Sequence, residues 1–252
     1  MEQIKENDWV KPTVDNRGLM FKKMIRNSQA FVDSTGKFDK PVLDLGCAYG
    51  VATIPTLEKG QAVIACDLEQ RHLDQLIDAV PKTYHPLLMT VCASFPDGIE
   101  LPDESISAAL SSYVFHFLKG PELQIGLQKI YRWLQPGGKL YINVGTPFIK
   151  NFDTLDAFHQ RKEKGERWPG ELYEEDIPEH FQAKFSEESR CQFMHLFTVE
   201  TMTRELEGAG FEVESSFYDE LVMCDEYREF FSGGGKGVLC LVAQRPNPDI
   251  AH

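Results

Sequence analysis

The sequence has few basic residues, no long apolar run and no close pair of cysteines. Lys and Arg number 26 against 39 Asp and Glu, which gives a net charge of −13. This balance argues against a nucleic-acid partner, because such binding draws mainly on cationic contacts. Apolar runs such as residues 237–243 are too short to cross a bilayer, and residues 1–10 do not resemble a secretory signal. We therefore expect a cytoplasmic protein with no membrane partner.

Closely spaced metal-ligating residues are also missing. No two of the six cysteines lie within four residues of each other, and the seven histidines are equally scattered. Zinc sites and small disulfide frameworks depend on such spacing. We therefore expect reduced thiols and no metal at Cys47, Cys66, Cys92, Cys191, Cys224 and Cys240.

The chain is 252 residues long, which favours one large domain over two small ones. Short β-branched runs alternate with helical patterns, as in parallel strand–helix–strand units. The predicted strands lie near Val42–Leu45, Ala62–Cys66, Leu87–Val91, Ile106–Ser111, Lys139–Val144, Phe211–Phe217 and Gly237–Ala243.

Three further segments complete the pattern. A helix at about Leu19–Val32, within an N-terminal helical segment 1–39, is placed to lie over a ligand site. A second helix precedes the turn at residues 136–138, and a third has Thr198 as its N-cap. Residues 147–197 are irregular in pattern and form an insertion.

The stretch VLDLGCAYG, residues 42–50, joins the first predicted strand to a glycine turn. A dinucleotide oxidoreductase needs G-x-G-x-x-G at this place, but counting from Gly46 the second and third positions are Ala48 and Val51. Asp44 would also repel a pyrophosphate. A ligand with cationic groups and a free ribose, such as S-adenosylmethionine, suits the turn better.

The residues from Asp44 to Gly50 resemble motif I of the class I S-adenosylmethionine-dependent methyltransferases, D/E-x-G-x-G-x-G, with Ala48 in place of the middle glycine. The resemblance covers about residues 40–145 and 195–245. It implies a doubly wound α/β fold with a mostly parallel seven-stranded sheet, the last strand antiparallel and helices on both faces.

The resemblance also implies where the cofactor S-adenosylmethionine binds. Asp67 ends the second predicted strand, where an acidic group accepts hydrogen bonds from both ribose hydroxyls; it also fits a helix capping box with Gln70. The family usually has an acidic residue after the third strand, and this chain has none there. The expected cofactor-binding residues are Asp44, Gly46, Cys47, Ala48, Gly50, Asp67, Leu68, Ala93, Ser94 and Ser111.

For the chemistry, His116 is the candidate general base and Tyr113 a candidate wall of the substrate site, because both follow the fourth predicted strand. The alternative for His116 is a packed core histidine, since two phenylalanines flank it. Residues 147–197 are expected to form a cap that selects the substrate, with Trp168 lining the pocket; the alternative is surface helices with core-facing aromatics.

The expected activity is methyl transfer to a small-molecule acceptor. Residues 111–114 lack the D/N/S-P-P-Y/F tetrad that amino-methylating enzymes of nucleic acids share. Two alternatives stay open. One is a non-catalytic S-adenosylmethionine-binding protein or partner subunit, and the more distant one is an NAD-dependent oxidoreductase.

Overall fold

A computed structural model describes residues 6–14, 19–183, 191–220 and 232–248. Its centre is a seven-stranded sheet with the strand order β10-β11-β7-β6-β3-β4-β5. The strands of this sheet are β3 (Val42–Leu45), β4 (Val63–Asp67), β5 (Leu88–Cys92), β6 (Ile106–Ser112), β7 (Leu134–Gly145), β10 (Glu212–Asp219) and β11 (Val238–Gln244).

Strands β7, β6, β3, β4 and β5 run parallel to one another, whereas β11 pairs antiparallel with both β7 and β10. The predicted sheet is therefore confirmed, including its antiparallel last strand. Within the described residues, no helix is long and apolar enough to cross a membrane.

Helices cover both faces of the sheet. The helices are α1 (Arg26–Ser34), α2 (Thr53–Glu58), α3 (Gln70–Ala79), α4 (Gly120–Trp133), α5 (Leu155–Glu163), α6 (Glu179–Gln182) and α7 (Val199–Gly208). One core cluster joins Leu43 to Leu127 of α4 and Leu206 of α7. Because strand side chains alternate between faces, the neighbouring Val42 joins another cluster, which includes Leu73 of α3. The sheet is thus buried on both sides.

The N-terminal region differs from its prediction. Residues 19–21 are not helical: β2 (Leu19–Phe21) pairs antiparallel with β1 (Val10–Pro12), and the helix starts only at Arg26. The segment predicted as one helix begins with a short strand, because pairing with another segment overrides local propensity. The helix predicted over Leu19–Val32 is correct only from Arg26 onward, and α1 does lie beside the ligand cavity described below.

Residues 147–183 and 191–197, the described part of the insertion, contain α5, α6 and two short strands. Strand β8 (Glu171–Tyr173) pairs antiparallel with β9 (Phe193–His195). Ile149, Phe152 and Leu172 of this region form a hydrophobic cluster with Val10. The insertion and the N-terminal hairpin therefore pack on each other.

Two sequence signals act as expected at helix ends. The Thr198 hydroxyl accepts a hydrogen bond from the Thr201 amide and caps α7. The turn at residues 136–138 follows the end of α4, although β7 already starts at Leu134 and bends there. Cys47, Cys66 and Cys240 are buried free thiols, and Cys224 lies outside the described residues.

Candidate functional site

A cavity of about 590 Å³ opens beyond the carboxyl ends of β3, β4, β5 and β6. Ligands of open α/β sheets bind at this edge. The cavity has two ends. Residues after β3, β4 and β5 line one, and residues after β6, from α1 and from the insertion line the other.

The glycine turn after β3 brings the backbone close to the cavity. Gly46 has a φ of +72°, and a Cβ there would lie 2.3 Å from Val114 Cγ2. The Gly46 and Cys47 amides both donate to the carbonyl of Cys66, at 2.8 and 3.0 Å. The turn is therefore tied to the end of β4, and Gly46, Cys47 and Ala48 line the cavity.

Asp44 is a buried carboxylate at the floor of this turn. Its side chain is 3% exposed, and its Oδ2 accepts a hydrogen bond from the Thr53 hydroxyl at 2.6 Å. Burial raises the pKa of Asp44 to about 6, and the nearby Asp67 carboxylate adds to this effect, while the Thr53 hydrogen bond opposes it. A cation in the cavity would stabilise the charged form of Asp44.

Asp67 at the end of β4 is held by three donors. Its Oδ2 accepts the amide of Ala48 at 2.9 Å, which links the two sequence motifs directly. Its Oδ1 accepts the amide of Glu69 at 3.0 Å and lies 2.9 Å from His72 Nδ1. Glu69, not Asp67, caps α3, so the capping box with Gln70 is wrong.

His72 connects Asp67 to the N-terminal region. Its Nε2 lies 3.0 Å from the backbone nitrogen of Val14, which can only donate. Nε2 is therefore the acceptor, and Nδ1 carries the hydrogen that is donated to Asp67. Tyr49 packs edge-on against the His72 ring and donates its hydroxyl to the carbonyl of Pro12 at 3.0 Å.

The end of β5 supplies the next part of the wall. Ala93 and Ser94 line the cavity, and the Ala93 amide donates to the Asp67 carbonyl at 2.9 Å. Leu68 also lines the cavity and is 57% exposed. An exposed apolar side chain at this place provides a surface for a flat aromatic group.

Two of the expected cofactor-binding residues lie off the cavity. Ser111 is fully buried, and its hydroxyl has no hydrogen-bond partner within the described part of the chain. Because side chains alternate along a strand, its neighbours Leu110 and Ser112 face the cavity instead. Gly50 does not line the cavity either; it packs on Leu76 of α3, where a Cβ would lie 2.3 Å from Leu76 Cδ1.

The other end of the cavity is mainly apolar. Tyr113 has a φ of 60°, an uncommon value outside glycine, and its ring packs on Phe21 and His116. Burial lowers the pKa of His116 to about 4, so the imidazole is neutral at pH 7. Its Nδ1 has no hydrogen-bond partner among the described residues.

Trp168, expected to line the substrate site, does not do so. It packs over Gly120 at the start of α4, where a Cβ would lie 2.0 Å from the indole ring. The insertion reaches the cavity instead through Ile149, Phe152 and Met194. The sequence spacing of the aromatic residues in the insertion does not show which of them pack in the core and which face a ligand.

Sequence reasoning missed His72, Ser28 and Ser112, all of which line the cavity. His72 lies in the first turn of α3, five residues after Asp67. That spacing could have indicated a contact between the two side chains. Ser28 lies in the part of the predicted helix that is correct, but no sequence signal marked it as a cavity residue. Within the described ranges, no group of three His, Cys, Asp or Glu side chains is arranged to hold a metal ion.

Comparisons with known proteins agree with this geometry. Residues 43–142 match the family model described as a methyltransferase domain. A carboxy-S-adenosyl-L-methionine synthase from Hydrogenovibrio crunogenus is 27% identical over 115 residues, which are 43% of this chain and 45% of that protein. The match thus spans less than half the length of this curated relative.

Solved structures share the fold. An S-adenosylmethionine-dependent methyltransferase from Mesorhizobium loti superimposes with a TM-score of 0.56 at 18% sequence identity. The superposition covers 85% of this chain and 100% of that one. A 1,6-didemethyltoxoflavin-N1-methyltransferase from Burkholderia thailandensis, solved with its substrate and S-adenosylhomocysteine, gives 0.57 at 18% identity over 88% of this chain and 78% of that one.

Residues 43–142 are thus similar to a methyltransferase domain, and the sheet order and glycine turn are those of solved S-adenosylmethionine-dependent methyltransferases. These findings support S-adenosylmethionine as the cofactor. The residues fit that group: a turn with no Cβ at Gly46, a buried carboxylate that favours a cation, and a second carboxylate whose Oδ2 has an acceptor site left for a ribose hydroxyl.

Proposed function

We propose that the protein transfers the methyl group of S-adenosylmethionine to a small-molecule acceptor by in-line displacement. The observation that carries this proposal is the continuity of the cavity. Its carboxylate end, with Asp44 and Asp67, and its apolar end, with Tyr113 and His116, belong to one space of about 590 Å³. That volume lies within the range of small-molecule sites, about 300–1,000 Å³.

The carboxylate end holds the cofactor. Asp44 faces its cationic groups, and Asp67 accepts a hydrogen bond from a ribose hydroxyl at the acceptor site left on Oδ2. The Ala48 and His72 donors hold the Asp67 carboxylate at a fixed angle before the cofactor arrives. Leu68, Ala93 and Ser94 pack against the adenine. A pyrophosphate would instead meet two carboxylates, which supports this cofactor over NAD.

When bound, S-adenosylmethionine supplies a methyl group already activated by its sulfonium. What the protein must add is position: the acceptor atom has to lie about 3 to 3.5 Å from the methyl carbon and in line with the breaking bond. Phe21, Tyr113 and Phe152 form apolar walls that exclude water from this region. We assign to His116, which is neutral at pH 7, the removal of a proton from a hydroxyl or amine acceptor.

A second candidate, carboxymethyl chemistry, is suggested by the name of the Hydrogenovibrio relative. A carboxylate next to the methyl carbon would need a cation to stabilise it. Of the described residues that line the cavity, Lys23 is the one with a permanent positive charge, and it is exposed, with its Nζ 3.6 Å from the centre of the Trp9 ring. This arrangement favours plain methyl transfer.

Calorimetry and an acceptor panel test the proposal. S-adenosylmethionine and S-adenosylhomocysteine should both bind, and NAD should not. Methyl release with one of the acceptors, followed by mass spectrometry, then separates a methyltransferase from a non-catalytic binder and from a carboxymethyl enzyme. Tight NAD binding, or binding of S-adenosylmethionine with no turnover on any acceptor, would contradict the proposed activity.

A further inference from the structure

A buried polar network begins between α1 and the two strands beneath it. Asn27 Nδ2 lies 2.9 Å from the carbonyl oxygen of Ile142 in β7 and 3.1 Å from that of Leu241 in β11. It also lies 3.0 Å from Oδ1 of Asn143. Asn27 is 1% exposed and Asn143 is fully buried, so both amides depend on these partners.

The network continues from Asn143 to two serines of the cavity. Asn143 Nδ2 lies 2.8 Å from Ser28 Oγ and 3.0 Å from Ser112 Oγ. Ser28 comes from α1 and is 4% exposed, and Ser112 ends β6. Both serines line the cavity.

The direction of these hydrogen bonds follows from the backbone. Carbonyl oxygens only accept, so the Asn27 atom between two of them is its amide nitrogen. The Asn143 atom that faces this nitrogen is therefore the oxygen, and its nitrogen faces the serines. Each serine oxygen accepts from Asn143, and each hydroxyl keeps its own hydrogen to donate.

Neither hydroxyl donates a hydrogen bond to another residue in the part of the chain that the structure describes. Ser34, in the same helix as Ser28, shows the ordinary alternative: its hydroxyl donates to the carbonyl of Phe31 at 2.7 Å. Both serine oxygens lie within 3.0 Å of the same nitrogen, so one ligand oxygen between them can lie within hydrogen-bond reach of both.

We propose that Ser28 and Ser112 form a donor pair that binds a carbonyl oxygen of the methyl acceptor. This inference rests on the proposed function and narrows its substrate class to small, largely apolar carbonyl compounds. Two hydroxyl donors match the two lone pairs of a carbonyl oxygen. The surrounding wall, which includes Met24, Ile25 and Tyr113, suits the apolar remainder of such a molecule. The pair sets specificity, because an acceptor without the oxygen leaves two donors unpaired.

Matched ligand pairs test this role. We would measure binding to the full-length protein saturated with S-adenosylhomocysteine, by ligand-observed NMR, for 1-indanone against indane, acetophenone against ethylbenzene, and cyclohexanone against cyclohexane. The wild-type protein should prefer the ketone by about tenfold in at least one pair. In the Ser28→Ala/Ser112→Ala variant this preference should fall to about twofold, whereas Ser34→Ala should retain it.

Each other outcome overturns the inference. A wild-type protein with no ketone preference in any pair, or a preference that survives in the double variant, excludes the donor pair. A double variant that binds S-adenosylhomocysteine about tenfold more weakly would assign the serines to the cofactor instead. If the wild-type protein binds no S-adenosylhomocysteine, the proposed function fails by itself.

Discussion

His72 donates its Nδ1–H to Asp67 over 2.9 Å, and the same ring accepts the amide of Val14 over 3.0 Å on its other side. The side chain that holds the expected ribose-binding carboxylate is therefore itself held by the N-terminal segment. This relationship connects the N-terminal residues to the proposed cofactor site, although they precede the first strand of the sheet.

Replacing His72 by Ala should weaken S-adenosylhomocysteine binding by about tenfold, because a hydrogen bond to a charged group contributes about 1.5–3 kcal/mol. Titration calorimetry at pH 7.5 measures this change. His85→Ala is the matched control, since His85 is exposed and its ring bonds, among the described residues, to the Val80 carbonyl. Equal affinity in wild type and His72→Ala would show that Asp67 needs no such support.

S-adenosylmethionine binding should weaken as the pH falls below about 6. The pKa of Asp44 in the free protein is about 6, so at lower pH the carboxyl is neutral and attracts a cation less. The Asp44→Asn variant should bind more weakly at pH 8 and lose this pH dependence between pH 5 and 7. Calorimetry across this interval checks both effects, and a pH dependence that persists in Asp44→Asn would assign it to another group.

The same raised pKa should affect folding stability. The folded protein holds the Asp44 proton to about pH 6, above the ordinary value of 3.8. The stabilisation from the neutral carboxyl is therefore complete below about pH 4 and is lost as the pH rises through 6. Asp44→Asn should increase the free energy of unfolding at pH 8 by on the order of 2 kcal/mol, while making little difference at pH 4. Urea unfolding of both proteins tests this; a less stable variant at pH 8 contradicts it.

Gly46→Ala should destabilise the protein for two reasons. At a φ of +72° an alanine is strained, and its Cβ would also lie 2.3 Å from Val114. Gly60→Ala is the control for strain alone, because Gly60 has a φ of +79° with open space around it. We expect a loss of about 1–2 kcal/mol for Gly60→Ala and of about 2–5 kcal/mol for Gly46→Ala.

Thermal unfolding measures both variants. In the double variant Gly46→Ala/Val114→Ala, removal of the opposing methyl groups should recover part of the Gly46→Ala loss. Equal losses at Gly46 and Gly60 would mean that the turn moves easily away from Val114.

His116→Ala should slow turnover by about 10² to 10⁴ if the histidine removes a proton from the acceptor. The assay uses an acceptor identified in the panel above and covers pH 5 to 9, with the exposed His159→Ala as control. Unchanged turnover at every pH would leave His116 as a packed wall residue, in keeping with its flanking phenylalanines.

Much of the sheet was predictable because its signals are local. A buried strand followed by a glycine turn marks residues 42–50, and the spacing to Asp67 places the second carboxylate at the same edge. The direction of a side chain within a strand was harder to predict. Ser111 and Ser112 are chemically identical, and only the register decides which one faces the cavity.

The acceptor end was predictable to a smaller extent, because its residues come from separate parts of the chain. Phe21, Ser28, Tyr113 and Phe152 meet only through tertiary packing. Trp168 looked equally suited to such a wall, but the absence of a side chain at Gly120 gives its ring another place to pack. The local periodicity of the sequence shows neither the meeting of these four residues nor the packing of Trp168 on Gly120.

Cys47 sits in the glycine turn, at the wall of a cavity built for an alkylating agent. Burial raises the pKa of its thiol well above the ordinary value, and the two neighbouring carboxylates add to the shift. Because the thiolate is the reactive form, the sulfur stays protonated and poorly nucleophilic at neutral pH. In the proposed complex with S-adenosylmethionine, this sulfur would therefore not take the methyl group.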